Sequence, residues 1–124
     1  MVIDKKDINW KVLIEKQDNQ LGLVNTIRKL EHLNNEIVET VKDPVLLSID
    51  LAELGAINSE LIAQFVMLQT NLVRTNGKLE IINTNPELKS SFDVVMLDKI
   101  ISISYLGEEN NQYSTSEEDE YSEE

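Results

Sequence analysis

A chain of 124 residues is one domain in size, long enough for a hydrophobic core and too short for two. It contains no cysteine, which excludes disulfide frameworks, thiolate zinc sites and cysteine nucleophiles. A formal charge of −12, with no basic patch, argues against phosphate-backbone binding, so nucleic acid is not an expected partner.

That charge is unevenly placed. Residues 107 to 124 hold eight acidic groups and no basic one, while residues 1 to 106 carry fifteen Asp and Glu against eleven Lys and Arg. The first 106 residues read as the folded domain. The remainder, rich in Glu, Asn, Ser and Tyr, reads as an acidic disordered tail that buries too little apolar surface to offset its ordering entropy. Its expected role is a solvated, solubility-enhancing segment, or alternatively an electrostatic lure for a basic partner. No apolar run approaches the roughly 18 residues of a membrane span. The opening MVIDKKDINW has no hydrophobic segment after its lysines, so no signal peptide is expected and the cytoplasm is the default location.

Trp10 to Lys16 mixes alternation with an apolar centre and suggests an outer strand. Asp18-Asn19-Gln20 supplies turn chemistry, and Leu21 to Ile27 reads as a second strand closing a hairpin. From Lys29 the period becomes helical, with Leu30, Leu33, Ile37, Val38 and Val41 on one face; Asp43-Pro44 ends the helix. Val45 to Ile49 is a nearly continuous apolar run, as in a central strand covered on both faces.

After a small, polar stretch through Glu53, Gly55, Asn58 and Ser59, the residues Leu61, Phe65, Leu68 and Leu72 recur at helical spacing. Glu60, Gln64, Gln69, Asn71 and Arg74 are left for the outer face. Asn76-Gly77 ends this helix, with glycine expected in the left-handed conformation. Lys78 to Asn83 is the next strand, completing a βαβ unit. Asn85-Pro86-Glu87 is a helix start in which Asn caps, Pro takes the first position and Glu meets the dipole. Leu88, Phe92, Val95 and Met96 form the expected buried side of the short helix, and Ile100 to Tyr105 the last strand. The order β-β-α-β-α-β-α-β predicts an α/β domain whose mixed sheet is parallel around its middle strand and flanked by helices.

In series, LLSIDLAELGAINSELIAQFVMLQTNLVRTNGKLEIINT and NPELKSSFDVVMLDKIISIS resemble the STAS family, the sulfate transporter and anti-sigma factor antagonist domain, over residues 10 to 106. The likeness is greatest to its stand-alone anti-sigma factor antagonist branch. It implies a STAS-like single domain and a non-catalytic bacterial switch module in transcription regulation. The partners implied are a serine-kinase anti-sigma factor that binds and phosphorylates the module, and a serine phosphatase that resets it. Position by position, Ser59 matches the phosphoacceptor. Asn58 stands where the family usually has aspartate, and Glu60 and Leu61 where it prefers a small residue and then glycine. Gly55, Asn58, Ser59, Glu60 and Ile62 are the expected partner-binding residues. The fold also serves constitutive scaffolds and subunits of stress-sensing or lipid-transport complexes, which use no phosphoswitch.

The residues themselves allow plainer readings. Asn58 or Ser59 can simply cap the helix, a task both residue types perform. His32, the one histidine, lies on a polar part of the first helix and reads as solvated. Asp50 and Glu53 read as the end of a strand and a turn rather than an acid–base pair. No Gly-rich phosphate loop is present, and Ser59 has no histidine in sequence context to activate it, so neither an enzyme nor a cofactor or metal is expected.

Overall fold

A computed structural model describes residues 1–17 and 19–107, so the expected tail, from residue 108 onward, lies outside the described residues. Its elements are β1 (Val2–Lys6), β2 (Asn9–Leu13), α1 (Gln20–Thr40), β3 (Leu46–Asp50), α2 (Ser59–Val73), β4 (Lys78–Thr84), α3 (Lys89–Val94) and β5 (Ser102–Tyr105). They form a small α/β domain with one mixed five-stranded sheet in the order β1-β2-β3-β4-β5. Strand β1 runs antiparallel to β2, and β2 to β5 are parallel. Each parallel neighbour is reached through one helix, and right-handed crossovers between successive neighbours put all three helices on one face.

The letters of the predicted order recur, and the strand at Trp10 and the helix from Lys29 fall within β2 and α1, but the strand expected at Leu21 to Ile27 is absent and Val2–Lys6 is a strand that was not expected. Leu21 to Ile27 is helix, not strand. The Asn19 side chain accepts from Gly22 N at 3.0 Å and caps α1, so the residues expected to turn a hairpin start a helix. Thr26, Ile27, Leu30, Leu33, Asn34 and Ile37 then form one buried helical stripe, while Val38, expected inside, is exposed. The hairpin is β1–β2 instead, turned at Asp7 in the left-handed conformation (φ 55°). Trp10 therefore lies on an interior strand rather than an outer one, with the Lys5 ammonium 5.0 Å over its ring and Lys5 also bonded to Glu36 of α1.

Two further expectations fail for local reasons. Glycine 77 does not take the left-handed conformation; Asn76 does (φ 65°), and Gly77 N bonds Leu72 O at 2.8 Å. Helix α3 stops at Val94 and Met96 turns left-handed (φ 56°), which leaves Val95 and Met96 exposed and sends Leu97 into the core. Ile100 is correspondingly a turn residue before β5. The Asn85 cap formed as expected, its side chain accepting from Glu87 N at 3.0 Å with Pro86 opening a 3-10 turn.

The core lies between the sheet and the helices. Val12, Leu47, Ile49, Leu79 and Ile81 meet Leu30, Leu61, Phe65, Leu68 and Phe92, nearly all aliphatic. Among the described residues no helix covers the opposite side of the sheet. Strand β3 is thus packed on one face only, contrary to the two-sided cover its apolar run suggested. Ser48 on the other face is shielded by its strand neighbours and donates to Glu80 Oε2 at 2.8 Å.

Candidate functional site

The carboxyl end of β3 is built by its own last residue. Asp50 Oδ1 accepts from Ala52 N at 2.9 Å and Oδ2 from Asn83 Nδ2 at 3.0 Å, so the carboxylate turns the chain rather than facing a substrate. Leu51 and Leu54 are buried and pin the connection to the core, with Leu51 N bonded to Ile82 O at 3.0 Å. Glu53 Oε1 accepts from Lys16 N at 3.2 Å and ties this loop to the β2–α1 connection. Gly55 and Ala56 remain exposed between these anchors.

Asn58 then caps α2, its side chain accepting from Leu61 N at 2.8 Å and its carbonyl from Ile62 N at 3.1 Å. Ser59 is the first helical residue and is exposed; among the described residues its hydroxyl makes no hydrogen bond. The two capping readings are thereby separated: Asn58 does the capping and Ser59 is left over. Asn58→Ala is expected to cost about 1 kcal/mol of stability, and Asn58→Asp to retain the cap. Denaturant titration of both variants checks this, and an equal loss in the two would show that the cap oxygen is not what matters.

Of the expected partner-binding residues, Gly55, Ser59 and Glu60 are exposed, and Asn58 and Ile62 are half-buried. Leu61 is fully buried. Its side chain therefore belongs to the core and not to the exposed loop. His32 is exposed on α1. Among the described residues no three His, Asp or Glu side chains form a metal-ligating cluster, and no helix is long and apolar enough to cross a membrane.

Two depressions flank the loop. A cleft of about 380 Å3 is lined by Lys16, Gln17, Asn19, Leu23, Glu53 and Gly55, and a groove of about 240 Å3 between α1 and the first turn of α2 by Val24, Arg28, Glu31 and Glu60. Their walls from the β2–α1 connection were missed in the sequence because that stretch read as a hairpin. The Asn19 to Gly22 cap spacing was the available signal. At the same end, the Met1 ammonium holds the Glu15 carboxyl below the usual range, first through their hydrogen bond and then through its charge.

Helix α2 is held firmly behind this loop. Gln64 is buried rather than outward, and its Oε1 accepts from Asn34 Nδ2 of α1 at 2.9 Å, while Asn71 Nδ2 donates to Asn34 Oδ1 at 2.8 Å. On its other side Gln69 Nε2 donates to Ile100 O at 3.2 Å and its Oε1 accepts from Leu79 N at 2.9 Å. From Leu61 to Val73 the helix carries no charged residue, although Ala63, Met67, Thr70 and Val73 face solvent. A solvent face without charge is what a docking helix presents.

No family model matches this sequence, and no curated protein matches it. Six chains among solved structures match its fold. One is the NMR structure of the protein TM1081, with a TM-score of 0.63 and 13% identity over 86% of this chain and 82% of that one. At that identity the likeness shows the fold alone: a small α/β domain with a mixed sheet.

Proposed function

We propose that this chain is a non-catalytic, cytoplasmic protein-interaction module of the STAS type. In this reading it is an anti-sigma factor antagonist that binds a serine-kinase anti-sigma factor through the 55 to 62 loop and the exposed side of α2. The observation that carries the reading is Ser59: exposed at the first position of α2, beyond the carboxyl end of the central strand, and relieved of capping by Asn58. The N–H groups of Ser59 and Glu60 bond no described residue, and the helix dipole favours negative charge there, so a phosphate on the Ser59 hydroxyl is accommodated locally. It adds about −1.5 to −2 charge beside Glu60 and changes what a partner meets without refolding the domain. The rigid seating of α2 on Asn34 and Gln69 fits a switch that alters surface rather than shape.

Incubating the full chain with ATP and the partner serine kinase that this reading requires is the test. The expected result is one phosphate, on Ser59, absent from Ser59→Ala, with Ser59→Glu weakening kinase binding about tenfold or more, near 1.4 kcal/mol. A phosphate elsewhere, or binding indifferent to Ser59→Glu, removes the switch. One observation favours the second reading, a constitutive scaffold or subunit of a stress-sensing or lipid-transport complex: Glu60, directly after Ser59, opposes a phosphate there by like charge. Under that reading the partner binds equally well to wild type and Ser59→Glu.

A further inference from the structure

We propose that the helix-free face of the sheet is an isologous docking surface for a second copy of this chain, with a two-fold axis running along β3. The inference is independent of Ser59. It starts from the cover problem: parallel strands are almost always buried on both faces, and among the described residues β2 to β5 are covered on one.

The register supplies the complementarity. On the open face one row across the sheet is Asp4, Lys11, Ser48, Glu80 and Ser102, read through the pairings of successive strands. The row below contains Asn9, Leu46 and Lys78, and the row above Leu13, Asp50 and Ile82. A two-fold axis along β3 lays β2 of one copy over β4 of the other without shifting the rows. Lys11 then faces Glu80 of the second copy, and Glu80 faces its Lys11. Leu13 faces Ile82, Asn9 faces Lys78, and Leu46 meets its own counterpart on the axis.

An axis across the strands would instead set Lys11 on Lys11 and Glu80 on Glu80, so the charge pattern selects the first arrangement. Among the described residues neither Lys11 nor Glu80 is in an ion pair, and Ser48 holds Glu80 on this face. The one like-charge meeting on the axis is Asp50, whose two oxygens are already engaged by Ala52 N and Asn83 Nδ2. The open face is a groove of about 570 Å3 walled in part by Lys11, Leu46, Ser48 and Glu80, which leaves room for side chains of a facing sheet.

Area sets the strength. Five strands about 4.8 Å apart and five residues at about 3.3 Å each give roughly 400 Å2 per copy, below the ~800 Å2 of a standard interface. The dimer is therefore weak and concentration-dependent. The axis keeps the strand directions of both copies alike, so both Ser59 loops point to the same end from opposite outer sides. A dimeric partner could engage the two together.

Sedimentation equilibrium of the full chain, up to the concentrations used for NMR, tests this with Lys11→Glu and Glu80→Lys. Wild type is expected to dimerise, and each variant alone, folded by circular dichroism, to lose association at least tenfold. An equimolar mixture of the two variants is expected to dimerise again, because in the mixed dimer the two substituted side chains attract at one contact and the native Glu80 and Lys11 at the other. A wild type that stays monomeric, a dimer indifferent to both substitutions, or variants not rescued by mixing would overturn the proposal. So would association that vanishes when residues 108 to 124 are removed, which would give the face to that segment.

Discussion

Phe65→Ala is expected to lower the unfolding free energy by about 3 to 5 kcal/mol, a large share of the 5 to 15 kcal/mol that typical domains possess. Phe65 is fully buried on the sheet side of α2, within the same cluster as Leu61, Leu68 and Leu72. Its removal costs both the transfer of the ring and the cavity left behind, and the anchored helix cannot sink to fill that space. Asn34 and Gln69 hold α2 at fixed height from two sides. Urea unfolding should show the midpoint falling with the slope unchanged. A loss below about 1 kcal/mol would mean that α2 relaxes into the cavity, and that the seating inferred from its amide bonds is loose.

Gly77→Ala is expected to cost about 3 kcal/mol, at the upper end of the overpacking range. A Cβ on Gly77 would stand 2.5 Å from Val45 O, 2.9 Å from Val45 N and 3.0 Å from Leu72 O. All three are backbone atoms, so no side chain can swing aside. The start of β3 or the end of α2 must move, although Gly77 N bonds Leu72 O at 2.8 Å and Lys78 N bonds Val45 O at 2.9 Å. Gly55→Ala is the control, because its Cβ would meet nothing within 4 Å and its stability should stay within about 0.5 kcal/mol of wild type. Denaturant titration of both variants separates close approach from backbone freedom. A Gly77→Ala protein as stable as Gly55→Ala would refute the packing argument.

The Gly77 result also shows how a correct position can be reached for the wrong reason. Asn-Gly marks the end of α2 in the sequence, and the helix ends there. Which of the two takes the left-handed conformation depends on what lies beside it. Here that is the backbone of Val45, which no local rule reports. The 21 to 27 stretch failed in the opposite direction. Leu-Gly-Leu-Val with a Thr and an Ile suits a strand locally, yet extending the register of Leu30, Leu33 and Ile37 backward buries Thr26 and Ile27 on the same side. Tertiary burial overrode a propensity worth a few tenths of a kcal/mol per residue.

The candidate site was legible to a similar depth. Ser59 at the head of α2 follows from spacing alone, since Leu61, Phe65, Leu68 and Leu72 set the helix phase and Asn58 precedes it. The division of labour between Asn58 and Ser59 did not follow, because both side chains can cap and only coordinates show which one does. The clefts beside the loop were invisible for a different reason. They are walled by residues some thirty positions apart, joined by the Lys16 to Glu53 bond.

By itself the sequence determined the class of the domain, the phase and extent of α2, the start at Asn85-Pro86 and the exposure of Ser59, because these depend on periodicity and on side chains acting within four residues of themselves. Only the tertiary structure decided that the first strand is Val2–Lys6, that Gln64 and Asn34 turn inward to each other, and that all the helices of the described residues lie on one face of the sheet. Those outcomes depend on which distant surfaces meet. Polar residues such as Gln64 and Asn34 can be buried only when a partner from another helix satisfies them.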